Sequence, residues 1–374
     1  MNIQIDNTGF INKGAELMLN AIVSEFSDNS EVNFVFNGVA TYKEKASLGL
    51  LSIVSLQRFR FNFHKIFPQN RFRNTGIEFI ENINVLFDAG GFHIGDQWIS
   101  DKTLKEDIDK KINYYKKYKR IGAKLIFLSQ AAGPFEKELS KYYFKELFKL
   151  VDLFIARDKT SYEACKKVVG DDVKLKLFPD FTNLYSPQKP QRDLTYYENK
   201  VCLIPNSKML THTSKEKKLK YQLFLNTLLQ ECKRNSIDLF FLNHEGAGDM
   251  HIIEDLNKTF NLPVLSSLNA NDVKYVIGKS KFVISSRFHG VVSGLCQNVP
   301  TFCTSWSHKY EELMNDYKMN GVIDFLNIDK SVSDIIHLLQ KEDELNDIVE
   351  NLKLKSSVEK EKTQQMWMLV KNTI

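Results

Sequence analysis

Short β-like runs alternate with helical patterns along most of the chain, and this alternation restricts the possible folds more than any other feature. "NFVFNGVA" (33–40), "INVLFDAGG" (83–91), "AKLIFLSQ" (123–130), "DLFIAR" (152–157) and "VKLKLFP" (173–179) read as strands. Between and before them, 13–26, 103–120, 137–151 and 159–169 carry apolar residues at helical spacing. Strand and helix in alternation predict parallel βαβ units, which place ligands at the carboxyl ends of the strands. The segment "SPQKPQRDLTYYENK" (186–200) is polar and holds two prolines, so it reads as a linker. Alternation then restarts at 201–205, 237–243, 281–286 and 300–305. The expected architecture is α/β: two Rossmann-like domains facing a cleft. The first covers 1–187 and the second 199–330. A helical tail over 331–374 is expected to pack back on the first domain.

Bulk properties fit that picture and exclude several classes. A chain of 374 residues with 43% hydrophobic content can build two ordinary cores. A net charge of +5 suits an anionic small substrate or a membrane surface and is far from a nucleic-acid binder. Five scattered cysteines with no C-x-x-C predict reduced thiols and no zinc site. "MNIQIDNTGFINKGAE" lacks a basic segment followed by an apolar one, so no secretory signal is expected. No apolar run approaches the roughly 18–20 residues of a spanning helix. The expected location is cytoplasmic, either free or at the inner face of the cell membrane.

Several residues could carry chemistry. In "ISSRFHGVVSGL" (284–295) a strand runs into a helix at Arg287 and His289. Helix-start N–H groups favour an anion, Arg287 adds a fork for carboxylate or phosphate, and His289 can exchange a proton near neutral pH. The structural alternative is a surface arginine with a backbone-satisfied histidine. His308 and Lys309 put positive charge at another helix start, against the macrodipole; a basic pair on a solvated loop is the alternative. Gly90 and Gly91 follow a strand and permit close backbone approach, with Asp96 beyond them as either a general base or a helix cap. Arg157 ends a strand, and Asp158 and Ser161 look like caps. Asn12 and Gly14 sit at a strand-to-helix turn. Neither G-x-x-x-x-G-K-[ST] nor a strand followed by G-x-G-x-x-G is present, so no standard nucleotide signature exists.

Seven segments, "NKGAELML", "GGFHIGD", "SQAAGPF", "ARDKTSYE", "FPDFTNL", "SSRFHGVVSGL" and "SWSHKYEELM", occur in the order and rough spacing of the polysaccharide pyruvyl transferases. The chain resembles that family from about residue 9 to 318, departing where the family usually has glycine and this chain has Phe92 and Ser129. The resemblance implies a fold like the GT-B glycosyltransferases. It also implies transfer of pyruvate from phosphoenolpyruvate to a pair of sugar hydroxyls, as a ketal, in bacterial surface or capsular polysaccharide synthesis. No metal or organic cofactor is implied. The family's Arg-x-His maps onto Arg287 and His289, and a first-domain arginine onto Arg157. On chemical grounds Arg287 with Arg157, Lys309 and His308 would hold the donor's anionic groups, His289 would be the general acid and Asp96 the base. Asn12, Gly14, Gly90, Gly91 and His93 fall on acceptor or loop positions.

The stretch 56–74 holds five basic residues, many Phe and no acid, with Phe59, Phe63 and Phe67 on one helical face. It reads either as a peripheral membrane contact, which would make the acceptor a polyprenyl-diphosphate-linked saccharide, or as a helix packed on the core. Two other functions fit the architecture. One is a nucleotide-sugar glycosyltransferase, for which Glu311 or Glu312 would hold the ribose. The other is a non-catalytic glycan- or anion-binding protein.

Overall fold

The computed structural model describes residues 1–55, 57, 58, 61, 62, 73–100, 102–305 and 307–374. The chain divides into two units. Unit 1 comprises Met1–Phe10, Met18–Phe181 and Thr363–Ile374; unit 2 comprises Ile11–Leu17 and Thr182–Lys362.

Unit 1 is built on an eight-stranded, all-parallel sheet. Its order is Leu175–Leu177, Leu153–Ala156, Lys124–Gln130, Val85–Asp88, Asn2–Asp6, Asn33–Phe36, Leu50–Val54, Ile77–Phe79. The chain first builds outwards from Asn2–Asp6 on one side. It then returns to place Val85–Asp88 against the other side of that first strand and continues away from it. The winding direction therefore reverses between Asn2–Asp6 and Val85–Asp88, the position where doubly wound sheets bind ligands. Both central strands are buried along their whole length. In the first, Ile3 and Ile5 fill one face while the equally buried Asn2, Gln4 and Asp6 occupy the other. The helix Lys105–Arg120 buries Ile108, Ile112, Tyr115 and Tyr118, an i, i+4, i+7 stripe against the sheet.

Unit 2 repeats the plan with five parallel strands, in the order Val264–Leu265, Leu239–Leu242, Val201–Ile204, Phe282–Ser285, Thr301–Cys303. Here the winding reverses between Val201–Ile204 and Phe282–Ser285. The helix Lys215–Arg234, capped by the Ser214 side chain, contributes Tyr221, Phe224, Leu225, Leu228, Leu229 and Cys232 to the core. All five cysteines are buried and unpaired.

Four expectations need correction. The segment 186–200 is no free linker: the chain enters unit 2 at Thr182, and Leu194 is buried in that unit's core with Tyr197 packed against it. Lys274 Nζ donates to the Thr182 carbonyl at 2.6 Å, and Asn271 holds Tyr185 and Gln188. A few well-placed apolar residues outweigh the polar composition. The turn at Asn12 and Gly14, expected in the first domain, belongs to unit 2. The tail consists of helices Ile328–Gln340 and Glu342–Thr373; unit 2 holds it through Lys362 and unit 1 holds its last twelve residues. In the basic, aromatic stretch, Gln57–Arg58 and Phe61–Asn62 pair as a short antiparallel ladder rather than a helix. Phe59, Phe63 and Phe67 lie outside the described residues. Among the described residues no helix is long and apolar enough to cross a membrane.

Candidate active site

In unit 2 the strand Phe282–Ser285 ends at the reversal point, and the helix Phe288–Leu295 starts after two intervening residues. The connection is held from several sides. Asn206 Nδ2 donates to the Ser286 carbonyl at 2.8 Å and Tyr310 Oη to the same oxygen at 2.9 Å. Tyr221 Oη lies 3.0 Å from Ser286 Oγ. Arg287 stands at the helix cap position with an extended backbone, its N–H donating to Ser285 Oγ at 3.0 Å.

Its side chain is not the open anion fork expected from sequence. Arg287 is only 7% exposed. Nε and Nη2 donate to Asp249 Oδ2 and Oδ1 at 2.8 and 2.5 Å, a bidentate pair, and Nη1 donates to Glu245. Asp249 is fully buried and also accepts from the Ser207 N–H at 2.9 Å. Burial pushes the Asp249 carboxyl up to about 7, against the Ser207 hydrogen bonds, and brings Arg287 down to about 10. Arg287 thus stays charged at neutral pH, and its two hydrogen bonds favour the carboxylate form of Asp249. Glu245, at the start of helix Gly246–Phe260, is the more exposed of the two partners.

His289 is the second residue of its helix and packs against Gly14. A Cβ placed on Gly14 would come within 2.3 Å of His289 Nδ1. The requirement for glycine at this turn is therefore met by a side chain of the same unit. Asn12 Oδ1 accepts from the N–H groups of Gly14 and Ala15 at 2.8 and 3.3 Å, and Asn12 bridges to Glu245. His244, one residue before Glu245, is buried. Burial first, and then the nearby charges of Arg287, His289 and Lys13, hold its pKa well below the ordinary value, so it is neutral. Lys309 completes the neighbourhood. It is buried, with Nζ 5.3 Å from the Phe288 ring centre and 5.6 Å from that of Tyr310. Those aromatic faces compensate for a cation in the first turn of helix Lys309–Asp316, for which His308 is the cap residue. The structure thus gathers Asn12, Gly14, Arg287, His289 and Lys309 in unit 2, and adds His244, Glu245 and Asp249.

The remaining sequence candidates lie in unit 1. Arg157 follows strand Leu153–Ala156, is buried, and pairs with Asp180 at 3.2 Å. Gly91 has a φ of +65°, the left-handed region that favours glycine, and lies beside Arg157: a Cβ there would be 3.5 Å from Nη1, an ordinary contact. Gly90 leaves room for the His93 ring, which a Cβ there would meet at 2.2 Å. Asp158 caps helix Lys159–Val169 through the Ser161 N–H, as expected. Asp96, offered by the sequence as a base or a cap, is engaged here as a tie between segments. Its carboxylate takes the N–H groups of Glu136 and Lys137 at 2.8 and 3.2 Å and the Ser140 hydroxyl, and so ties the entrance of helix Glu138–Phe148. Another carboxylate beside the glycine pair is Asp88, 2.7 Å from His93 Nε2.

Two Rossmann-like units with this strand order define the GT-B-like class, and solved structures agree. A glycosyltransferase of Rickettsia africae shares the fold with a TM-score of 0.60 at 13% identity, over 100% of this chain and 98% of that one. The Anabaena protein HepE, solved with UDP-glucose, gives 0.59 at 11% identity over 99% of both chains. The UDP-GlcNAc 2-epimerase of Methanocaldococcus jannaschii, solved with UDP-GlcNAc and UDP, gives 0.56 at 8% identity, over 91% and 94%. At such identities the likeness concerns the fold alone. No curated protein sequence matches the chain. The sequence model of the polysaccharide pyruvyl transferases matches residues 12–308, and the chain belongs to that family.

Proposed function

We propose that the protein transfers pyruvate from phosphoenolpyruvate to two hydroxyls of a sugar, forming a ketal, in the synthesis of a bacterial surface polysaccharide. The observation that carries this reading is the match to the pyruvyl transferase model over residues 12–308, which spans the Arg287/His289 turn. Phosphoenolpyruvate presents a carboxylate and a phosphate, and Arg287 and Lys309 offer cationic partners beside a helix start. Glu245 is the more exposed of the two carboxylates on Arg287. An arriving anion displaces it, while Asp249 keeps the guanidinium oriented.

His289 donates a proton to the methylene carbon, and the adjacent carbon becomes oxocarbenium-like. The first sugar hydroxyl attacks that carbon and releases its proton. Phosphate departs with the electron pair of its bond to the same carbon. The second hydroxyl then closes the ketal and releases its own proton. The products are a pyruvyl ketal and inorganic phosphate. No metal or organic cofactor takes part in this reading. The acceptor is a saccharide, carried on a polyprenyl diphosphate where the basic stretch 56–74 meets an anionic membrane. Phosphate release from phosphoenolpyruvate that requires a saccharide, with an acceptor mass gain of one pyruvate less one water, is the expected result. Absence of both with every acceptor tried rejects the reading.

The fold neighbours solved with UDP or UDP-sugars favour a second reading, nucleotide-sugar glycosyl transfer. It predicts consumption of a UDP-sugar and indifference to phosphoenolpyruvate.

A further inference from the structure

The turn that carries Asn12 and Gly14 also carries Lys13, the first residue of the helix Lys13–Glu25. A cation there opposes the helix macrodipole, a local conflict of the kind that accompanies function. Three contacts within unit 2 fix its place. The Lys13 N–H donates to the His244 carbonyl at 3.4 Å. On one side of it Asn12 bridges to Glu245, which accepts from Arg287. On the other side Gly14 packs against His289. Lys13, Arg287 and His289 thus converge on His244; burial first, and then the charges of Arg287, His289 and Lys13, lower the pKa of that imidazole.

The N–H groups of this helix start are already taken. Asn12 Oδ1 accepts those of Gly14 and Ala15, the Asn12 carbonyl that of Glu16, and the His244 carbonyl that of Lys13. What the turn offers an anion is therefore the Lys13 ammonium. The Lys13 side chain is a fifth exposed, whereas Lys309 is buried beside the rings of Phe288 and Tyr310. Glu16 holds Lys13 Nζ at 2.6 Å. An ammonium carries three donors, so it can hold that carboxylate and an anion together. The other carboxylates of the neighbourhood, Glu245 and Asp249, are held by Arg287, and Lys208 adds positive charge near Asp249.

We propose that Lys13 is the contact for the phosphate of the anionic donor, while Arg287 takes its carboxylate. The inference deepens the pyruvyl transfer reading and rests on it for the identity of the donor. Phosphoenolpyruvate carries both anionic groups on one carbon, so two cations on adjoining turns suit it better than a single fork. The planar guanidinium matches the two oxygens of a carboxylate, and the ammonium, a compact point charge, suits a phosphate. As phosphate leaves with the electron pair of its bond to carbon, its negative charge grows and the contact with Lys13 strengthens.

The test is calorimetric titration of wild type, Lys13→Gln and Lys13→Arg with phosphoenolpyruvate, inorganic phosphate and pyruvate, in a buffer free of phosphate. Lys13→Gln should bind phosphoenolpyruvate and inorganic phosphate about tenfold more weakly or worse, the worth of one hydrogen bond to a charged group. Pyruvate, which has the carboxylate alone, should change by less than about twofold, since a charge that makes no contact is screened. Lys13→Arg keeps the charge and should bind both phosphates more tightly than Lys13→Gln does. Unchanged binding of phosphoenolpyruvate by Lys13→Gln overturns the contact, and so does an equal loss in Lys13→Arg, which marks a distorted turn. A loss of pyruvate binding as large as that of phosphate overturns the assignment of the two groups. Should phosphoenolpyruvate fail to bind the wild type, the donor reading falls and inorganic phosphate alone decides. Its weaker binding to Lys13→Gln then upholds Lys13 as a phosphate contact, and no binding or no loss overturns it.

Discussion

Replacing Gly14 by alanine tests whether the position of His289 matters. The added methyl would lie 2.3 Å from His289 Nδ1, 2.9 Å from its Cγ and 3.1 Å from Asn12 Oδ1. An ordinary contact needs about 3.5 Å, so the imidazole must retreat by about 1 Å. Overpacking of this kind costs about 1–3 kcal/mol, and the better helix propensity of alanine returns about 1 kcal/mol. The melting temperature should therefore fall by no more than about 8 °C, at ~2–4 °C per kcal/mol for a unit of this size. Catalysis should suffer far more, because a 1 Å misplacement of a reacting group costs on the order of 100-fold. The assay is phosphate release from phosphoenolpyruvate with the saccharide that supports it. The loss should appear in kcat rather than in KM. Gly9→Ala is the control, since nothing lies within 4 Å of a Cβ there. Gly14→Ala that folds and retains activity within about threefold of wild type, well below the misplacement penalty, refutes the reasoning.

Further consequences concern the carboxylates and the basic stretch. Glu245→Gln removes the competitor for Arg287, so phosphoenolpyruvate should bind about tenfold tighter, the worth of one hydrogen bond to a charged group; equal or weaker binding in a calorimetric titration contradicts displacement. Asp96→Ala should cost about 1–2 kcal/mol as a lost cap and leave kcat unchanged, whereas a kcat collapse in the folded variant restores Asp96 as a base. Asp6 is raised from 3.8 to about 6, chiefly by burial. Between those values the folded protein holds a proton that the unfolded chain has released, so stability is lost as pH rises through that window and stays lost above it. Asp6→Asn should therefore gain up to about 3 kcal/mol relative to wild type on passing from below the window to above it, read from urea midpoints; a constant difference contradicts the assignment. Arg58→Glu with Arg60→Glu should reduce co-sedimentation with anionic vesicles, and unchanged sedimentation removes the membrane contact from the account.

What the sequence discloses is local, and what it hides depends on strand order. Arg287 and His289 are legible because a buried strand, an Arg-x-His and a small-residue helix adjoin in the chain. The carboxylates on Arg287 are not, because Glu245 and Asp249 follow another strand and meet it only once the sheet is assembled. The Asp6–Asp88 pair is hidden for the same reason, eighty-two residues apart but in register. "NIQID" alternates polar and apolar residues, the pattern of a half-exposed strand, yet both of its faces are buried. The strand Val264–Leu265 is two residues long and gives no periodic signal. Asp96 is ambiguous in sequence because a cap and a base use the same side chain; in the fold its carboxylate takes the N–H groups of Glu136 and Lys137, which lie forty residues on.

The most direct test of the central claim is thermal stabilisation of the purified protein by phosphoenolpyruvate, beside a panel of UDP-sugars, in wild type and Arg287→Ala. A ligand that binds only the folded state raises the melting temperature by mass action. The account predicts a rise with phosphoenolpyruvate that Arg287→Ala loses. A rise with a UDP-sugar alone, and none with phosphoenolpyruvate in the wild type, would contradict it.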